Sequence, residues 1–411
     1  MKDCVAIMDF GTSRITVLIG GRGINDTIAM EGIGICEYGG FSGEQWLEPD
    51  RLAAAVEQVI SRAESSARKK INKLYIGVPG QFCITEVNSV TISLGRKRRV
   101  LESDVDALYA QGNYYAGDPS CTVINIQPIY YTLDDDRKLI VPVGMSSTRL
   151  SGSISYTLCD NKFISLVDAA VRGAGVAETE YVFAPLAEML FLFDEYKRDK
   201  TVMLADVGAY DTTLIIGRGD GVCAQFDFPW GGERITLALM NELGIDKDTA
   251  KLLKHKLNLS LDPEYIPPKG DRDPDEPPSD ERFIICSDYN MQVNNEMVTF
   301  PVGKVNDIVR EEIALFAMFV EKALKSCDYD YPDFTALSIT GGGLNIRGAT
   351  EYISDIIGRD VEFVKPTLPI FENPQMSAAL GLIDMVLVGE MPYTGLIGKF
   401  RRWINKRRTT K

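Results

Sequence analysis

A strand–turn–strand pattern occurs twice in this chain, nearly two hundred residues apart, and it restricts the possible folds more than any other feature. In residues 201–217, TVMLADVGAYDTTLIIG, the apolar run Val202, Met203, Leu204, Ala205 leads into a turn from Asp206 to Asp211. Thr212, Thr213, Leu214, Ile215 and Ile216 then return as a β-rich strand. Residues 4–20 repeat the order: Cys4, Val5, Ala6, Ile7, Met8; then Asp9, Phe10, Gly11, Thr12, Ser13, Arg14; then Ile15 to Ile19 and Gly20. An Asp that closes a buried strand and is followed at once by a Gly turn suits a phosphate and its metal. The carboxylate holds a hydrated Mg²⁺, and the turn amides face the phosphate. Alone, either hairpin reads as an ordinary surface turn. As a pair, in one order, they read as two half-sites closing on one ligand.

The pair resembles the duplicated phosphate motif of the actin-like ATPase superfamily. That resemblance implies an α/β fold of the actin-like (ribonuclease H-like, duplicated) kind, with ATP and Mg²⁺ between the halves. Asp9 and Asp206 would be the catalytic and metal-holding acids, with Gly11, Thr12, Ser13, Gly208 and Thr212 around the phosphates. Composition agrees with such a chain. Its 411 residues suffice for two or more domains with real cores. At 45% hydrophobic and 25% charged it is an ordinary globular composition. No stretch reaches the roughly 18 apolar residues of a membrane span, and Asp9 interrupts too short an apolar run for a signal peptide. The 8 cysteines show no CxxC spacing and read as buried reduced thiols in a cytosolic protein. A single histidine, His255, excludes most histidine catalysis and histidine metal clusters.

After the first hairpin, the periodicity predicts a strand over 32–36, a helix over 50–70 and a strand over 74–78. Residues 81–160 then form an inserted unit: strand 83–94, basic turn 96–99, helix 103–112, and strands 122–133, 138–143 and 152–157. The alternative is a generic βαββ insertion. However, Pro128-Ile129-Tyr130, Pro142-Val143-Gly144 and Arg149-Leu150 resemble, in order, the small 1C domain peculiar to FtsA, the actin homologue of bacterial cell division. A helix over 163–174 ends at Gly175. Next comes Ala184-Pro185-Leu186-Ala187-Glu188. In FtsA-like chains the residue before this "PLA" is Gln or Glu and helps place the attacking water; here it is Ala184. Glu188, one turn on, is the catalytic substitute, although a solvated helix Glu is its more ordinary role.

Gly231, Gly232, Ile235 and Thr236 resemble the family's "GG-x-x-IT", whose glycines bring a helix N-terminus to the nucleotide. In the helix over 246–256, Lys254 fits the family pattern, while Lys251 stands where relatives carry a ribose-binding Glu. Residues 262–282, rich in Pro, Asp and Glu, read as a flexible acidic loop. Strands over 283–285 and 296–300 and a long helix over 306–325 follow. The strand 336–340 ends in Gly341, Gly342 and Gly343, the third motif, where the superfamily holds adenosine and a Cβ would strike it. Residues 373–381 resemble the helix that closes the family's core. The implied division is 1–80 and 161–200 as subdomain 1A, with 373–388 returning to it, and 81–160 as the 1C-like insert. Residues 201–224 and 326–372 would form 2A, 225–325 would form 2B with its acidic loop, and 389–395 a linker.

The tail carries a separate signal. Leu396, Ile397, Phe400, Trp403 and Ile404 fall on one helical face, and Lys399, Arg401, Arg402, Lys406, Arg407 and Arg408 cover the rest. Residues 396–411 carry seven positive charges and no acid, on a chain of net −14, so the remainder sums to −21. Such a body avoids nucleic acid, while such a tail suits the interface of an anionic membrane. Five apolar side chains at roughly 1.5 kcal/mol each give about 7 kcal/mol on insertion, and each base near anionic lipid adds about 1. A calmodulin-like or nucleic-acid-binding tail, or a helix packed on the body, are the alternatives. FtsA ends in a helix of this membrane-targeting type.

The resemblance to FtsA thus covers nearly the whole chain. It implies a membrane-anchored adaptor on the cytoplasmic face at the division site. Its partners would be the C-terminal peptide of FtsZ, other copies of itself in a filament, and other division proteins through the 1C-like domain. A soluble or pilus-assembly-type ATPase or kinase of the superfamily is the competing class. The second turn departs from the family's Asp-x-Gly-Gly-Gly-Thr-Thr: Ala209, Tyr210 and Asp211 replace Gly, Gly and Thr. With Ala184 and Lys251, this implies ATP binding with slow or lost hydrolysis.

Overall fold

The computed structural model describes residues 4–23, 27–112, 118–260, 288–293, 296–368 and 372–389. The acidic loop 262–282, the strand expected over 283–285 and the whole tail 396–411 lie outside the described residues.

Two five-stranded sheets share one topology. In the first, Cys4–Phe10 pairs antiparallel with Arg14–Arg22, which pairs antiparallel with Ile28–Glu37. On its other side Cys4–Phe10 runs parallel to Lys73–Val78, and that strand parallel to Glu178–Phe183. In the second sheet Val202–Val207 pairs antiparallel with Thr212–Arg218, and Thr212–Arg218 with Gly221–Phe228. On the other side it runs parallel to Leu337–Thr340, which is parallel to Val361–Phe363. The inner strands are buried on both faces, which is why they read as continuous apolar runs rather than alternations. The register repeats as well. Asp9 sits opposite Thr16 and Gly77, and Asp206 opposite Thr213 and Thr340.

Helices cover the sheets where the apolar spacing demands it. Pro49–Ala67 begins on a proline, buries Leu52, Val56, Val59, Ile60 and Ala63, and stops at Arg68 in the left-handed region. Ser377–Val388 crosses Ala184–Leu192 so closely that a Cβ on Gly381 would lie 2.6 Å from the Ala187 carbonyl oxygen. The long helix is Val302–Lys325, starting one turn earlier than expected because Pro301 sets its entrance.

The insert is a three-stranded antiparallel sheet with Ser146–Asp160 between Cys83–Arg99 and Cys121–Thr132. The helix Glu102–Gly112 packs on it through Leu108 and Tyr109, giving the insert a core of its own. One expected strand is absent. Residues 138–143 make a single bridge, Leu139 to Tyr131, and then turn, because Pro142 cannot donate to a ladder and its carbonyl closes a turn with Met145. A strand not expected from the sequence, Asp288–Val293, forms a hairpin with Glu296–Pro301.

Candidate functional site

The two Asp-x-Gly turns meet, and both line one cavity of about 510 Å³. Each is closed by the same backbone bond: the Gly11 amide donates to the Arg14 carbonyl (2.8 Å), and the Gly208 amide to the Asp211 carbonyl (2.9 Å). Asp9, Gly11, Thr12, Ser13, Glu188, Asp206, Gly208, Gly232, Lys254, Gly341, Gly342 and Gly343 all line it, so most of the expected site residues come together.

Thr212 and Gly231 do not line the cavity. The Thr212 hydroxyl turns away and donates to the Trp230 carbonyl (2.6 Å). Gly231 instead lies behind the second turn, where a Cβ would come within 2.5 Å of the Ala209 carbonyl. The helix N-terminus behind it is likewise taken. The amides of Gly232 and Glu233 donate to the carbonyls of Gly208 (3.0 Å) and Ala209 (2.8 Å), so they brace the turn rather than point into the cavity.

Glu188 is the largest correction. It is not a solvated helix residue: it is 1% exposed and its Oε2 has no hydrogen-bond partner. Burial, then the charges of Asp206 and Asp9, push its carboxyl well above the usual range. Burial and the charge of Asp206 raise Asp9 to about 7, against the pull of Arg14, and burial raises Asp206 to about 6. Three crowded acids and an orphaned carboxylate oxygen mark a place short of positive charge. Among the described residues no three His, Cys, Asp or Glu groups converge tightly enough to grip a bare ion. That arrangement fits a cation that keeps its waters, with Asp9 and Asp206 holding it.

The glycine turn of residues 341–343 packs closely against the second hairpin. Gly341 has φ +86°, and a Cβ there would meet Asp206 Oδ1 and the Val207 carbonyl at 2.4 Å. Gly232 and Gly343 touch backbone to backbone, a Cβ on the former lying 2.6 Å from the latter's Cα. These absences of side chain let the turn close on the second hairpin and on the helix start at Gly232.

The second turn fits a phosphate less well than the first. The Thr12 hydroxyl accepts from the amides of Ala209 (2.8 Å) and Tyr210 (3.2 Å), the donors expected to face a phosphate. Asp211, 2% exposed, reaches across to the first domain, where Ser42 Oγ (3.0 Å) and the Gly43 amide (2.7 Å) donate to its carboxylate. Arg14, at the matching place in the first turn, donates instead to the side-chain and backbone oxygens of Gln375, both at 2.9 Å. Neither Ser42 nor Gln375 was singled out from sequence, since nothing local marks a partner 169 or 361 residues away.

The sequence model of the SHS2 domain inserted in FTSA matches residues 80–156. The cell division protein FtsA of Neisseria meningitidis serogroup B is 22% identical over 426 residues, covering 97% of this chain and 97% of its own. Among solved structures, the PilM–PilN type IV pilus biogenesis complex superposes with a TM-score of 0.60 at 16% identity, covering 94% of this chain and 99% of that one. MreB5 of Spiroplasma citri bound to AMPPNP gives 0.51 at 9%, covering 94% and 96%. The fold is therefore actin-like with an FtsA-type insert. The resemblance to FtsA read from the motifs is borne out along nearly the whole chain.

Proposed function

We infer that this FtsA-like chain is an actin-like cell-division protein that binds ATP with Mg²⁺ between its two hairpins, tethers FtsZ to the cytoplasmic membrane at the division site, and assembles into filaments. The observation that carries the nucleotide part is the pair of equivalent turns, each with an Asp at the end of an apolar strand, that meet and together line one cavity. In this reading Asp9 and Asp206 hold the cation through its waters, Gly11, Thr12 and Ser13 face the phosphates, and Gly341 to Gly343 underlie the adenosine. Bound Mg²⁺ would supply charge neutralisation for the phosphate chain.

Hydrolysis is feeble. Ala184 lines the cavity where a water would need an acceptor, and it offers a methyl group. Glu188, one turn on, is the available carboxylate; burial, then the charges of Asp206 and Asp9, push its carboxyl well above the usual range and so favour its protonated form. Membrane attachment rests on the amphipathic, basic sequence of 396–411, and FtsZ binding through 225–325 and contacts through the 1C-like insert rest on the resemblance to FtsA. No described helix is long and apolar enough to cross a membrane.

Calorimetric titration with ATP tests the nucleotide reading. ATP should bind in the presence of Mg²⁺, and Asp9→Ala should abolish the metal-dependent part. Absence of ATP binding in the wild type would make the chain a pseudo-ATPase and overturn the assignment. Liposome co-sedimentation tests the anchor: Phe400→Glu with Trp403→Glu should release the protein while ATP binding persists. Equal sedimentation of wild type and double variant would place membrane contact elsewhere.

A further inference from the structure

The cavity is polarised. Asp9, Asp206, Glu188 and Asp211 gather at the hairpins, whereas Lys247, Lys251, Lys254 and His255 line the other wall, all from the helix Lys247–Lys254 and the residue that caps it. Steps of four, three and one place these side chains along one helical face. The wall's own acids do not balance it. Glu233 is the carboxylate that couples to the lysines, and it is already ion-paired with Lys247. Lys254 Nζ donates to the Gly232 carbonyl (2.9 Å) and Thr236 Oγ1 (3.2 Å), both neutral. Burial, against the pull of Glu233 and with Lys251 and Lys247 adding to it, pushes Lys254 below the usual lysine range. Neither Lys251 nor His255 has an ion-pair partner among the described residues.

A concave wall with unneutralised ammonium groups is a place for an anion. In the nucleotide reading above, on which this inference rests, the 5′ phosphates and their cation lie at the hairpins. The lysine wall then faces the nucleoside end, beside Gly232 and Gly343. An ordinary nucleotide presents a ribose there, whose hydroxyls are best held by a group that accepts as well as donates. Lysines only donate. We propose that the lysine wall takes a second phosphate, so that this chain prefers nucleotides phosphorylated on the ribose 2′ or 3′ oxygen as well as at the 5′ end.

The test is calorimetry on the full chain with AMP, adenosine 2′,5′-bisphosphate, adenosine 3′,5′-bisphosphate and ATP. At least one bisphosphate should bind about tenfold tighter than AMP, the size expected of one or two charge-assisted contacts; which one distinguishes the 2′ from the 3′ position. Lys251→Ala should cut that advantage to threefold or less, and Lys251→Glu should abolish or invert it. Lys251 is exposed, so both variants should keep the wild-type melting curve. If ATP binds but neither bisphosphate exceeds AMP, or if the advantage survives in Lys251→Glu, the second-phosphate inference is overturned and the nucleotide reading stands. If none of the four binds, the nucleotide reading falls and this inference with it.

Discussion

The two hairpins have the same backbone and opposite occupations. Each places an Asp opposite a Thr on the neighbouring strand and closes its turn with the same amide-to-carbonyl bond. In the first, Arg14 reaches to Gln375, and no acceptor occupies the amides of Thr12 and Ser13 among the described residues. In the second, the amides of Ala209 and Tyr210 are taken by Thr12, and Asp211 fastens to Ser42 and Gly43. The turn of the second half is thus spent on contacts with the first half. Two copies of one backbone can keep their register while their turns make different contacts, because strand pairing depends on the apolar residues and the turn's contacts on a few local groups.

The strongest way to break the comparison is at the floor of the second half. Val78 follows Gly77 on the first half's parallel strand, but the matching place after Thr340 is Gly341, with φ +86° and no room for a Cβ. Gly341→Ala should cost about 3 kcal/mol or more, from left-handed strain plus the clash with Asp206. A chemical-denaturation midpoint equal to wild type would show that the floor is not built as described.

Asp211→Ala comes next. It leaves the Gly43 amide without its carboxylate and should lower stability by about 1–3 kcal/mol. If the Asp211 carboxylate at the cavity repels a bound phosphate, as the proposed function implies, the same change should raise ATP affinity severalfold. Weaker ATP binding in a folded variant would mean that Asp211 assists the ligand instead. Thr12→Val is smaller on the stability scale: two partly exposed amides lose an acceptor, at about 1 kcal/mol, and Thr12→Ser should restore it.

The smallest effect sharpens what the halves share. Asp9 and Asp206 titrate at about 7 and about 6, above free carboxylates, so the folded chain binds more protons than the unfolded one. The stability from that proton uptake is complete below about pH 4 and lost as pH rises through those two values. A divalent cation should replace the lost protons. Millimolar Mg²⁺ should therefore raise the melting temperature by a few degrees at about pH 8 and by much less at about pH 5. An equal shift at both would argue against binding at these carboxylates.

Much of this was legible in the sequence, for identifiable reasons. Apolar runs ending in Asp-x-Gly placed both hairpins, and Ile308, Ile313, Phe316 and Val320 placed the long helix within one turn of its start. The role of Glu188 was misjudged although a signal existed: it is the one charge in Ala184–Leu192, and a lone acid in an apolar helix has no solvated face to occupy. The lysine wall was also open to reading from its spacing. The Asp211 clasp was not, since its partners come from a two-residue strand, Phe41–Ser42, and the turn after it, in the other domain. Residues 138–143 looked like a strand from their apolar content, and Pro142 outweighed it.

In the proposed function, two equivalent turns, one of them clasped, hold a nucleotide that the site cleaves slowly or not at all. Equilibrium binding of radiolabelled ATP followed by a single-turnover chase measures both parts in one sample. The account predicts about one ATP bound per chain in the presence of Mg²⁺, recovered largely intact over a time in which a typical enzyme, at roughly 1 per second or faster, would have consumed it. Cleavage at that rate would contradict the reading of Ala184 and Glu188, and absence of bound ATP would contradict the site itself.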